Sequence, residues 1–237
     1  MRDKLDNFNI LTEDPLSQQM TTKFKILLDG AERRLFVQEK CEEIEFVENK
    51  TDGLIISPVF DEISLDVYNK IKNTSDFVML DPQGFLRKKT PDNEIILENS
   101  KIDLSKISAI KTNSDEIKAL TGFVGDEAMN FLQKQGIEHV ILTDKQNISL
   151  LVKDKIYSIN LPKLKLYDTT GIGDIFCSTF CCTMLKERDF LWALCFAGGA
   201  AQAAIENKKI GLEKIPQKGA IENNGSYFYN MVKFRTI

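Results

Sequence analysis

The chain has 237 residues, 43% of them hydrophobic, which suffices for one sizeable core or one domain with an appendage. Acids outnumber bases by 35 to 31, a formal charge of −4, arguing against a nucleic-acid scaffold or a binder of membrane surfaces. No apolar run reaches the roughly 18 residues of a membrane span, and Met1-Arg2-Asp3-Lys4-Leu5-Asp6 lacks the apolar centre of a signal peptide. The reading is therefore a cytoplasmic chain with neither nucleic acid nor membrane as partner. Cysteines stand at 41, 177, 181, 182 and 195 without a Cys-x-x-Cys pair. The last four fall in segments expected to be buried helices, where reduced thiols pack as small hydrophobes.

Residues 1–20 are polar and show little periodicity, as expected of a loop or short edge segment. Apolar runs at 24–28 and 33–37 flank Asp29-Gly30-Ala31-Glu32, a hairpin signal, and a third strand-like piece follows at 43–47. From residue 54 the pattern changes. Short apolar runs at 54–57, 77–80, 107–110, 140–143, 148–152 and 155–160 read as strands. Helical spacing appears at Ile63, Val67 and Ile71, then at 114–120 and 125–135. The segments 174–187 and 190–206 read as two long apolar helices, and 224–237 as a docked tail. Strands alternating with helices predict βαβ units around a parallel sheet covered on both faces. Ligands of such sheets sit at the carboxyl ends of the strands, where Asp81, Lys111 to Glu116 and Thr143 all fall.

The most informative stretch is Asp168-Thr169-Thr170-Gly171-Ile172-Gly173-Asp174, which runs straight into the apolar Ile175-Phe176-Cys177. Glycines at the mouth of a buried helix let the backbone approach a ligand closely. The first helical amides lack internal acceptors, and the helix dipole favours an anion there, phosphate above all. Asp174 then suits a general base that takes a proton from an attacking hydroxyl. A purely structural reading stands beside this one: Asp168 or Thr170 caps a core helix and the glycines make a tight turn. A dinucleotide fingerprint fails because Phe176 holds the third glycine position, and no P-loop pattern is present.

Asp-Thr-Thr-Gly-Ile-Gly-Asp resembles the C-terminal signature of the ribokinase-like (PfkB) carbohydrate and nucleoside kinases, written D-T-x-G-A-G-D, with Ile172 in place of the small alanine. The resemblance extends from about Thr21 to Gly211. It implies a three-layer α/β/α sandwich with a mainly parallel sheet and a small antiparallel lid. Residues 1–50 would be a partial lid and N-terminal segment, and residues 51–237 the nucleotide-binding and catalytic core. The implied reaction is ATP-dependent phosphorylation of a hydroxyl on a small sugar, polyol or nucleoside. Asp174 would be the catalytic base and the amides of Gly171, Ile172 and Gly173 the anion hole.

Other stretches carry two readings. Asn113 and Glu116 have the spacing of a capping box; the resemblance makes them an N-x-x-E motif that orders Mg²⁺ and its waters. Lys111, Asn113, Thr143, Thr170 and Gly199 are expected near the nucleotide. At Gly199 tight helix packing is favoured over ligand binding, though the resemblance places this small-residue helix beside the adenine pocket, and Lys145 stands where the family has a glycine. Asp81-Pro82-Gln83-Gly84-Phe85-Leu86-Arg87 reads as a turn, with Gln83 or Arg87 as substrate contacts in the rival reading. Lys163 and Lys165 read as solvated surface charges. His139, the single histidine, excludes a multi-histidine metal site and reads as a strand-edge residue. The family's opening strands and Gly-Gly pair have no counterpart before Thr21. The alternative function is therefore a non-catalytic nucleotide- or metabolite-binding protein on a truncated kinase scaffold. A homodimer through the lid strands is the oligomer this reading allows.

Overall fold

The structure is a computed structural model that describes residues 20–29, 32–162 and 169–237. Residues 1–19, Gly30, Ala31, and the expected surface lysines Lys163 and Lys165 with Asp168 lie outside the described residues. Strands β1 (Lys23–Asp29) and β2 (Glu32–Glu39) pair antiparallel, with Phe24 opposite Val37. This is the hairpin expected from the two apolar runs. It docks on the rest of the chain through its own edge. Val37 N donates to Asn93 O at 2.9 Å, and Arg34 Nε reaches Glu94 at 2.6 Å.

The main sheet is built from β3 (Thr51–Ile56), β4 (Ser75–Leu80), β7 (Ala109–Asn113) and β8 (His139–Asp144), all parallel. Three antiparallel strands extend it: β9 (Asn147–Val152), β10 (Lys155–Asn160) and β11 (Lys233–Thr236). The order across the seven strands is 11-10-9-8-7-4-3. Between β4 and β7 lie the short helix α2 (Gln83–Leu86) and a small hairpin of β5 (Arg87–Lys89) and β6 (Ile95–Leu97).

Alternation along the strands makes the three layers. Val78, Leu80, Ile110, Val140 and Leu142 point to one face, where they pack with α1 (Leu65–Ile71), α3 (Ser114–Thr121) and α4 (Gly125–Lys134). Their neighbours Met79, Ala109, Ile141 and Leu150 point to the other face, against α5 (Ile172–Glu187), α6 (Phe190–Glu206) and α7 (Lys218–Met231). The result is the expected α/β/α sandwich with a mixed sheet.

Three expectations need correction. Residues 43–47 form no strand: Ile44 and Val47 stay exposed, and the Ile44 amide donates to the Glu62 carbonyl at 2.8 Å instead of to a ladder. The C-terminal segment is more than a docked tail. It forms α7 and the edge strand β11, where Phe234 pairs with Tyr157. Cys182 is exposed, although Cys177, Cys181 and Cys195 are buried as expected. No helix among the described residues is long and apolar enough to cross a membrane.

Candidate active site

A cavity of about 730 Å³ opens at the carboxyl ends of the parallel strands. It collects Lys111 and Asn113 from β7, Thr143 from β8 and the whole turn Thr170–Asp174 at the start of α5. Glu116 and Gly199 are not among the residues that line it.

The turn has a definite physical form. Gly171 adopts φ 78°, the left-handed region that glycine enters freely, and α5 begins at the next residue. The Ile172 amide donates to Thr169 O at 3.2 Å and the Ile175 amide to Gly171 O at 3.0 Å. Of the helix-start donors, Gly173 and Asp174 therefore remain to meet a ligand, among the described residues. The Ile172 amide is committed to closing the turn, which departs from an anion hole made of all three amides. Asp174 occupies the first turn of α5, and its Oδ1 accepts a hydrogen bond from Ser57 Oγ at 3.1 Å. Ser57 directly follows β3, so the base candidate is braced by the far edge of the sheet.

Beneath Gly173 lies a buried charge cluster. Lys111 Nζ is 2.9 Å from Asp81 Oδ2, and their side chains are 9% and 6% exposed. A Cβ built on Gly173 would meet Lys111 Nζ at 3.2 Å and Asp81 Oδ2 at 3.8 Å. Burial by itself would lower the Lys111 pKa, but Asp81 and then Glu116 outweigh it and hold the ammonium above its usual range. Burial and then Asp81 push Glu116 up, against the opposing pull of Lys111. The sequence reading placed Asp81 in a turn and Lys111 near the nucleotide but did not pair them. Nothing local links two residues 30 positions apart.

The capping box is present as expected. Asn113 Oδ1 accepts from the Glu116 amide at 2.8 Å, and Glu116 Oε2 accepts from the Asn113 amide at 2.8 Å. Gln83 Nε2 also donates to Glu116 Oε1 at 3.1 Å, so the turn after β4 reaches this cluster. Both Asn113 and Glu116 thus already serve protein donors. No cluster of three or more carboxylate, histidine or cysteine groups suited to a metal exists among the described residues. With their oxygens already engaged, Asn113 and Glu116 would hold Mg²⁺ through water and not by direct ligation.

The remaining expectations divide. Thr143 lines the cavity, but its hydroxyl donates to Thr112 O at 3.2 Å and so first ties β8 to β7. Lys145 also lines the cavity, in the left-handed conformation (φ 53°) that a glycine would take without strain. At Gly199 the packing reading has direct support: a Cβ there would lie 2.6 Å from Gly225 N and 2.7 Å from Ile221 O, both in α7. Arg87 lines the cavity, donates Nη1 to Val59 O at 2.8 Å and lies over the Phe24 ring at 5.3 Å. That stack brings the β1–β2 hairpin to the cavity rim. His139 lies at the start of β8, remote from the carboxyl ends, beside Phe77, Phe180 and Phe190.

A model of the pfkB family of carbohydrate kinases matches residues 18–217. The curated ribokinase of Arabidopsis thaliana is 26% identical over 194 residues, which are 77% of this chain and 48% of that protein. The chain thus spans about half the length of the curated relative it matches. Among solved structures, a sulfate complex of a pyrophosphate-dependent kinase in the ribokinase family superposes with a TM-score of 0.73 at 18% identity, covering 85% of this chain and 74% of its own. Arabidopsis thaliana ribokinase complexed with ribose and ATP gives 0.66 at 18% identity, with 86% and 69% covered. Vibrio cholerae O395 fructokinase with fructose, ADP and calcium ion gives 0.68 at 14% identity, with 94% and 80% covered. At these identities the likeness is one of fold.

Proposed function

The chain belongs to the pfkB family of carbohydrate kinases, and from that membership we propose that it phosphorylates a hydroxyl of a small sugar, polyol or nucleoside with MgATP. The observation that carries this reading is the position of Asp174. Its carboxylate stands in the first turn of α5, bonded to Ser57 at 3.1 Å, directly after the glycine turn that opens the helix.

In this reading Asp174 takes the proton of the acceptor hydroxyl as that oxygen attacks the γ-phosphorus. The amides at the start of α5, with the helix dipole behind them, stabilise the charge on the transferring group. Lys111 adds a fixed positive charge under Gly173. Asn113 and Glu116 would hold Mg²⁺ through water, and the bound ion supplies charge neutralisation on the nucleotide phosphates. Ile148, Leu161, Ala201 and Ile205 offer an apolar wall that suits a nucleotide base beside Thr143 and Lys145. Phe24, Ile26, Leu35, Val59 and Arg87 then face the acceptor from the hairpin side.

The test is ADP formation from MgATP by the 237-residue chain against a panel of sugars, polyols and nucleosides. Acceptor-dependent ADP supports the reading and identifies the acceptor class. ATP binding without turnover on any acceptor supports instead a non-catalytic binding protein on this scaffold.

A further inference from the structure

The loop after β3 is built around a buried carboxylate that the reaction itself does not use. Glu62 is 8% exposed. Its carboxylate accepts the amide of Val59 and, at 2.6 Å, that of Phe60. A buried carboxylate is tolerated where such donors meet it, and its charge makes these bonds strong. The peptide between Val59 and Phe60 is thereby clamped from both sides. Its N–H donates to Glu62, and its C=O accepts Arg87 Nη1 at 2.8 Å. In a trans peptide these two groups point in opposite directions, so the plane cannot turn without breaking a bond. Phe24 of the hairpin packs on the same clamp, edge-on to Phe60 at 6.1 Å and 5.3 Å beneath the Arg87 guanidinium. Pro58 is held from a further side, since a Cβ on Gly84 in α2 would lie 2.5 Å from its carbonyl oxygen.

This fixed loop begins at Ser57, whose Oγ donates to Asp174 Oδ1 at 3.1 Å. Only Pro58 separates Ser57 from the clamped peptide, and its ring fixes φ at that step. The place of Ser57 is therefore set by Glu62 and Arg87 as well as by the end of β3. An unbonded carboxylate turns easily about its last torsion, which has no sharp staggered wells. With Oδ1 held by Ser57, Oδ2 is left for an acceptor hydroxyl in the cavity that Asp174 lines.

We propose that Ser57 is a positioning residue for the base and that Glu62 acts through it. The Ser57 hydroxyl holds Asp174 so that one defined oxygen meets the acceptor, and the clamped Val59–Phe60 peptide keeps that hydroxyl in place. The proposal rests on the kinase reading above. It extends the machinery to a carboxylate that is not part of the cavity lining.

The experiment compares Ser57→Val with Ser57→Thr in the full chain, two side chains of like shape that differ in the hydroxyl. Ser57→Val should lose kcat for acceptor-dependent ADP formation by about tenfold to a hundredfold, the scale of a misplaced catalytic group. Its affinity for MgATP by calorimetry should match wild type, and Ser57→Thr should recover most of the lost kcat. Unchanged kcat in Ser57→Val, or an equal loss in both variants, overturns the proposal. Glu62→Gln turns one acceptor oxygen into a donor facing an N–H group. It should lower kcat several-fold in the wild-type background and no further in the Ser57→Val background. An additive loss overturns the action of Glu62 through Ser57. If Glu62→Gln does not fold, Glu62→Asp, which keeps both oxygens on a shorter stem, takes its place in the same cycle with the same two outcomes. Should the wild type turn over no acceptor, the kinase reading fails separately, and the crystal structure of the Glu62 variant carries the test. Ser57 Oγ displaced from Asp174 upholds the positioning role; an unmoved bond rejects it.

Discussion

Gly173 faces the ammonium of Lys111 so closely that a Cβ on the glycine would lie 3.2 Å from Nζ. The two residues come from different layers, one in the first turn of α5 and the other in the middle of β7, and together they form the floor of the candidate phosphoryl site. Gly173→Ala should push against an ammonium that cannot swing away, because Asp81 fixes it at 2.9 Å. The expected result is a loss in kcat of about tenfold to a hundredfold with the fold retained. Steady-state kinetics with a melting curve checks it.

Lys111 also balances a buried carboxylate. Removing one partner of such a pair leaves the other charge uncompensated and costs about 3–5 kcal/mol. Lys111→Met should therefore lower unfolding stability by that amount in a urea titration. The double variant with Asp81→Asn should recover a large part of it, since both charges are then gone. A double variant no more stable than Lys111→Met would show that the loss comes from packing instead.

His139 gives a clean pH signal because it is the single histidine of the chain. It is buried among Phe77, Phe180 and Phe190, with Nδ1 3.3 Å from Ser108 O. Burial holds its pKa below the ordinary 6.5, over the opposing influences of Glu138 and Ser108. The unfolded chain thus binds a proton at a pH where the folded chain does not. Stability should be unaffected well above 6.5 and should fall as pH drops through that value towards the folded pKa. His139→Phe should remove this part of the slope between pH 7 and 5 in thermal melts, the window set by the ordinary imidazole value.

Much of this architecture is legible in the sequence because the signals are local. Period-two alternation at Val78-Met79-Leu80 and Val140-Ile141-Leu142 sends neighbours to opposite faces, so the layers can be anticipated. The turn at Gly171 announces itself by two glycines before an apolar helix. What is not legible is long-range. The Asp81–Lys111 pair spans 30 residues, Ser57–Asp174 spans 117, and the reach of Lys214 to Thr170 spans 44. Each depends on which distant segments pack together, and no spacing rule encodes that. At Gly199 the sequence favours tight helix packing over a ligand contact, and the partner of that packing, α7 across α6, is seen only in the structure. Strand β11 escapes notice because its four residues are all exposed and alternate in charge and size without a buried face.

The central claim is that Asp174 acts as a base after a nucleotide is already bound, so the decisive measurement is Asp174→Asn read in two ways. Calorimetry with MgATP should show affinity close to wild type, since the glycine turn and Lys111 are untouched. Acceptor-dependent ADP formation should fall by about 10²–10⁴-fold, the range for loss of a general base. Turnover equal to wild type in a variant that binds MgATP normally would contradict the assignment of Asp174 and with it the mechanism proposed for this site.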